Sequence, residues 1–208
     1  ESVYNGAAMA SSTRGIRAGG TPGSGELVTM DYMSFNHNGN FKDFGDLTDD
    51  RQSVGGCSNP TRGVVMGGFD APGRVNYIEY VTISTLGNGA DFGDLIADRT
   101  PNQGVMSNAV RGLAFGGATP SGDANMIEFI TIATLGNAKD FGDVTGTGGD
   151  RAGCSSPTKA MCALGASSSD TTVHYVQIMS TGNSVDFGDL NQGTYEAGGL
   201  SNGHGGLG

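Results

Sequence analysis

The chain has 208 residues, of which 38 are glycine, and a formal net charge of -10. That charge argues against binding a phosphate backbone or an anionic membrane surface. No apolar run approaches the roughly 18 residues that a spanning helix needs.

From the N-terminus, residues 9–20 read as a Ser/Thr turn, a basic residue, a small residue and a short apolar strand that ends in glycines. The order returns at residues 57–68 (CSNPTRGVVMGG), 106–117 (MSNAVRGLAFGG) and 154–165 (CSSPTKAMCALG). Paired glycines lack Cβ and suit a strand end that passes close to other backbone. A connection of variable length and composition follows in each case, at residues 21–26, 69–75, 117–124 and 166–170, and reads as a hairpin loop. The next strand is the clearest: in residues 78–83 (IEYVTI) β-branched and aromatic side chains fill most positions, as a strand packed on both faces requires. Helix is a poor alternative, because Gly or Pro interrupts nearly every window of about a dozen residues. A Gly-Asn turn comes next (Gly39-Asn40, Gly87-Asn88, Gly136-Asn137, Gly182-Asn183), and then the tetrad DFGD, which opens another strand with Phe44, Phe92, Phe141 and Phe187 as its large apolar anchors.

The tetrads begin at Asp43, Asp91, Asp140 and Asp186, so successive copies lie 48, 49 and 46 residues apart. Periods of this length point to propeller blades or solenoid units. The expected fold is therefore all-β, a single repeat domain over residues 1–208, with approximate units 1–43, 44–91, 92–140 and 141–186. Residues 192–208 repeat the register of residues 1–17, with Ser201-Asn202 opposite Ser58-Asn59. Residues 187–208 then start a further unit or close a ring. Closure is the expectation, because it removes edge strands that invite aggregation; the alternatives are that the array continues or that a neighbouring chain takes the surplus.

The three cysteines read as packed thiols, since Cys57 and Cys154 share one repeat slot with Met9, Met106 and Leu200. Arg14, Arg62, Arg111 and Lys159 occupy a second slot, and Asp31, Glu79, Glu128 and His174 a third. Opposite charges recurring in every unit predict an ion pair, or a bond from the basic residue to backbone carbonyls. The fourth unit changes both members, as a pair that must not strand a buried charge would. Each DFGD aspartate is expected to cap its own turn. With Asp46, Asp94, Asp143 and Asp189 it also offers oxygens to calcium, at lower density than an established calcium loop; no other cofactor is expected. Asp-Phe-Gly in four copies, without a catalytic loop or strand-lysine motif, is not a kinase signature. His37, His174 and His204 lie at unrelated repeat positions, and no nucleophile elbow or phosphate loop stands out, so an enzyme is not expected.

The unit resembles the kelch repeat of β-propellers. It carries a double glycine ending one strand (Gly67-Gly68, Gly116-Gly117), a Tyr-containing strand about a dozen residues on, and a large aromatic beyond. The chain has no Trp, and Phe of DFGD stands where kelch blades carry one. Closer still, Thr61-Arg62-Gly63-Val64, Gly67-Gly68, Asn76, residues 78–83, 86–88 and 91–95 resemble arrays in virion and tail-associated proteins of marine bacteriophages, cyanophages especially. This resemblance implies a non-enzymatic structural or host-recognition part of a virion, tail-associated and oligomeric. Its partners would be other virion proteins or a host surface glycan. Display would fall to the variable loops, through Phe69, Asp70, Arg74, Thr119, Ser121 and Asp123. The alternative is a glycan-binding, lectin-like propeller with Tyr4, Tyr195 or Phe69 as its sugar platform.

Overall fold

The computed structural model describes residues 2–149, 151–163, 170–193 and 198–199. Among them sixteen β-strands and no helix are found, arranged as four antiparallel sheets of four strands, each sheet in chain order. The first sheet holds β1 (Ala7–Ala10), β2 (Arg14–Ala18), β3 (Thr29–Ser34) and β4 (Lys42–Asp46). The second holds β5 (Gly55–Ser58), β6 (Arg62–Asp70), β7 (Gly73–Thr82) and β8 (Ala90–Asp94). The third holds β9 (Val105–Ser107), β10 (Arg111–Thr119), β11 (Gly122–Thr131) and β12 (Lys139–Asp143), and the fourth β13 (Ala152–Ser155), β14 (Lys159–Ala163), β15 (Thr172–Gln177) and β16 (Val185–Asp189). Each DFGD lies on the last strand of its sheet, so divisions drawn at the tetrads fall inside β4, β8, β12 and β16.

Strand pattern and packing agree because successive side chains leave opposite faces of a sheet. In β6, Val65 joins a core with the first sheet while Val64 and Met66 join one with the third. Three such cores fill the spaces between consecutive sheets. Met9, Ile16, Met30 and Phe44 meet Val65, Val81 and Ile83; Val64, Met66, Ile78 and Phe92 meet Ala114, Ile130 and Ile132; Leu113, Phe115, Ile127 and Phe141 meet Cys162, Val176 and Ile178. The double glycine is where β6 passes the connection that leaves its own sheet. The register shifts there by a bulge, Gly67 has φ 56°, and a Cβ on it would stand 2.5 Å from the Arg99 carbonyl oxygen.

The three junctions repeat the same polar contacts. At the outer side the Gly-Asn turn of the later sheet bonds to the tetrad of the earlier one: Gly87, Gly136 and Gly182 N–H donate to the carbonyls of Phe44, Phe92 and Phe141 at 2.9, 2.8 and 2.7 Å. At the inner side the short strands β1, β5, β9 and β13 follow one another. Ser58, Ser107 and Ser155 hydroxyls donate to the carbonyls of Ala10, Ser58 and Ser107 at 2.8, 3.0 and 2.7 Å.

The expected closure into a four-sheet ring is not what the described residues show. Phe44, Phe92 and Phe141 are each 2% exposed, but Phe187, their counterpart in the fourth sheet, is 56% exposed. Phe35 of the first sheet, counterpart of the buried Ile83, Ile132 and Ile178, is 52% exposed. The fourth sheet and the first therefore do not cover each other. Gly199 packs on Gly153 much as Gly56 packs on Ala8. Ser201, Asn202 and Leu200 lie outside the described residues.

Candidate functional site

The basic slot and the acidic slot of the repeat do not meet. In the β6/β7 ladder Arg62 is opposite Thr82, and Glu79 is opposite Val65. Counting alternately from these pairs, Arg62 shares a face with Val64 and Tyr80, while Glu79 points to the other side. Arg14, Arg62 and Arg111 accordingly lie over Tyr32, Tyr80 and Phe129, with guanidinium carbons 4.7, 4.3 and 4.3 Å from the ring centres, and the Lys159 ammonium lies 4.8 Å from Tyr175. Each of these rings stands edge-on to the tetrad Phe of its sheet, Phe44, Phe92, Phe141 and Phe187, at 6.1, 6.2, 6.0 and 6.0 Å. The three arginines then reach across the junction and donate to the carbonyls of Ile83, Ile132 and Ile178 at 2.9, 2.7 and 3.1 Å. Of the two partners expected for this slot, the backbone carbonyl is the one found, and it belongs to the next sheet.

The acids take their cations from residues the repeat comparison passed over. Arg51, Arg99 and Arg151 sit on the connections that follow β4, β8 and β12, and their side chains are buried. Arg51 pairs with Glu79, and its Nη1 donates to the carbonyls of Gly67 and Tyr77 at 3.1 and 3.2 Å. Arg99 Nη2 lies 3.0 Å from Glu128 Oε1, with Nη1 donating to Gly116 and Met126 carbonyls at 2.7 and 3.3 Å. The free carboxylate oxygens are used as well: Thr48 N–H donates to Glu79 and Ile96 N–H to Glu128, at 2.9 and 2.8 Å. One guanidinium thus ties a connection to two strands of the following sheet. The signal was present in the sequence, as an Asp-Arg pair at residues 50–51, 98–99 and 150–151.

The end sheets depart from this pattern. Asp31 is half exposed and pairs with Arg17 of its own sheet. In the fourth sheet His174 stands where the acid should be. Arg151 turns to Gly148 and Ala124 carbonyls, at 3.0 and 3.1 Å, and its Nη1 and His174 Nδ1 are buried without a hydrogen-bond partner. Burial holds the His174 pKa below its usual value; the Asp186 and Asp170 carboxylates oppose that, and Arg151 reinforces it.

Two of the segments expected to be loops, 69–75 and 117–124, are mostly strand; 21–26 is a loop, and 166–169 lie outside the described residues. Phe69 pairs with Arg74 and Asp70 with Gly73; Ala118 pairs with Asp123 and Thr119 with Gly122. Only two residues turn at each tip, Ala71-Pro72 and Pro120-Ser121. Thr119 donates to the Gly122 carbonyl at 2.7 Å and accepts from Ser121 N–H at 3.2 Å. The hairpin bases are anchored: Gln52 and Phe69 exchange two backbone bonds at 3.0 and 2.8 Å, and Thr100 donates to Ala118 at 2.9 Å. The Asp70 carboxyl is raised by its own desolvation and then by Asp50, Asp49 and Glu26.

The tetrad aspartates cap their own backbone. Gly45, Gly93, Gly142 and Gly188 N–H donate to Asp43, Asp91, Asp140 and Asp186 at 3.1, 3.1, 3.1 and 2.9 Å. Among the described residues no group of three His, Cys, Asp or Glu side chains is placed to hold a metal ion. The three cysteines are free thiols; burial pushes Cys57 up to about 12 and Cys162 up to about 11. A cleft of about 460 Å³ opens where the inner strands meet the uncovered side of the first sheet, between Phe35, Phe41, Met9, Cys57, Met106 and Cys154. Tyr4 is exposed; Tyr195 and His204 lie outside the described residues.

No protein-family model matches the chain, and a search of curated proteins finds no match.

Proposed function

We propose that the four sheets are blades of a kelch-like β-propeller array that serves as a non-enzymatic display module of a bacteriophage virion, tail-associated and engaged in host recognition. The observation that carries this reading is the tethering of the β6/β7 and β10/β11 hairpins. Their tips stand beyond the sheets, while their bases are bonded to the connections that Arg51 and Arg99 hold down from inside. A surface held this way loses little freedom on binding, which favours recognition by rigid presentation. The likeness of the repeats to phage virion arrays supports a particle as the setting and an envelope surface as the partner.

The test is adsorption of the fluorescently labelled chain to marine cyanobacterial cells. Asp70→Ala with Arg74→Ala, and Thr119→Ala with Asp123→Ala, should each lower retention by about tenfold while leaving the melting temperature unchanged. Retention that ignores both double variants, or no adsorption at all, overturns host recognition through these hairpins. Retention on free glycans with Tyr4→Ala as the sensitive variant supports the lectin-like reading instead.

A further inference from the structure

Every junction among the described residues is built from two halves, and the first and fourth sheets each leave one half uncovered. The fourth sheet presents the tetrad half: Phe187, Leu190, the Asp189 N–H and Lys159 over Tyr175, all on the face that the first three sheets cover with their successors. The first sheet presents the turn half: Gly39-Asn40 and Phe35. In the built junctions the turn glycine donates to the tetrad Phe carbonyl, and the Asn side chain accepts from the second tetrad Asp, Asp46 to Asn88 at 3.1 Å, Asp94 to Asn137 at 3.2 Å and Asp143 to Asn183 at 3.0 Å. Gly39 N–H, the Asn40 carbonyl, the Phe187 carbonyl and the Asp189 N–H repeat that chemistry. Nothing lies within 4 Å of the Cβ position of Gly188, whereas those of its counterparts Gly45, Gly93 and Gly142 stand 2.5 to 2.6 Å from the turn backbone of the next sheet.

We infer that two copies of this chain dock head to tail, the fourth sheet of each receiving the first sheet of the other. Sheets two and three stand between the two free faces, so neither serves as the other's partner within one copy. Such heterologous contacts close a ring when the rotation allows, and two copies supply eight sheets, within the roughly four to eight blades of propellers. Phe35 would cover Phe187 as Ile83 covers Phe44, and Lys159 would reach the Phe35 carbonyl as Arg14 reaches Ile83. Two features weaken the contact relative to the internal junctions. Each chain carries a net charge of -10, so association strengthens with salt. Residues 192–208 repeat the register of residues 1–17, and Gly199 already packs on Gly153, where the incoming β1 must lie.

Sedimentation of the full chain in moderate salt, across a concentration series, tests this. The expected result is a species of twice the chain mass. Phe187→Asp and Phe35→Asp each weaken it by about tenfold or more without lowering the melting temperature, since both rings are exposed in the single chain. Mixing the two variants restores pairs, because one of the two seams is then free of substitutions. Deleting residues 192–208 tightens pairing by removing the competitor for β1. A chain that remains single, pairs that ignore both substitutions, polymers in place of pairs, or loss of pairing on the deletion would each overturn the inference.

Discussion

The second and third sheets bury a complete guanidinium–carboxylate pair; the fourth buries the same guanidinium beside an imidazole. In the first case Arg51 and Arg99 point forward, into the sheet that follows their connection, and bond two of its carbonyls. In the second, Arg151 turns back to carbonyls of its own connection and of the preceding sheet. The difference teaches what the acid does. Carbonyl acceptors near a buried arginine are plentiful on either side, and it is the carboxylate that selects the forward direction and so binds each connection to the next sheet. Without it the cation remains buried, but the fourth sheet is held to its neighbour by the apolar core around Phe141 and Ile178 and by the bonds of Arg111, Ser155 and Asn183 across the junction, with no ion pair among the described residues tying the connection to it.

The most direct way to break the contrast is to turn the third sheet into a worse version of the fourth. Arg99→Met leaves Glu128 buried with no cation, and removing one partner of such a pair costs about 3 to 5 kcal/mol. Urea unfolding at neutral pH should show that loss, and Arg99→Met combined with Glu128→Leu should recover most of it, because two apolar side chains leave no charge behind. Equal losses in the single and double variants would mean that the guanidinium–carbonyl bonds, not the charge pairing, hold this junction.

The contrast can also be sharpened by repairing the fourth sheet. His174→Glu offers Arg151 Nη1 the acceptor it lacks and should stabilise the chain by about 1 to 3 kcal/mol, the penalty of an unsatisfied buried polar group. The same site predicts a pH dependence. The folded-state pKa of His174 is depressed, so as pH falls through the usual histidine value of about 6.5 the unfolded chain takes up the proton first. Stability contributed by the neutral ring is full above that value and is lost below it. The melting temperature should therefore fall between pH 7.5 and pH 5.5, and His174→Gln should flatten that fall. An unchanged slope in the glutamine variant would remove His174 as its cause.

How much of this was legible in the sequence depends on whether a property belongs to a residue or to the side it faces. The IEYVTI strand reads as buried on both faces because both sets of its side chains are apolar, and Ile78 and Val81 do enter different cores. Paired glycines read as close approach because no other residue tolerates it, as Gly67 beside the Arg99 carbonyl shows. Arg62 and Glu79, in contrast, suggest a pair on charge alone; only the register reveals that they leave opposite faces. The true partner, Arg51, lies on a connection whose length varies, where alignment of the units carries less weight. Openness was illegible for a simpler reason. Phe187 sits in the same tetrad as Phe44, and a side chain's letters do not record whether a neighbour covers it.

The smallest effect concerns the inner strands, where the comparison runs between the junctions and the first sheet. Ser58, Ser107 and Ser155 pass a hydroxyl bond from sheet to sheet, whereas Ala10 holds that slot in the first sheet and has no hydroxyl to give. Ser107→Ala removes a buried bond of 3.0 Å to the Ser58 carbonyl and leaves that carbonyl short of a donor, a cost of about 0.5 to 1.5 kcal/mol. Because Ser107 also accepts through its own carbonyl, which the substitution keeps, the bond from Ser155 survives and the loss stays local. Ser155→Ala should cost a similar amount, and the double variant close to the sum. A double variant much worse than additive in urea unfolding would show that the hydroxyls act as one connected line along the inner strands; a loss near zero would show that Ala10 is the more typical member of the slot and that the inner strands are held by their packing.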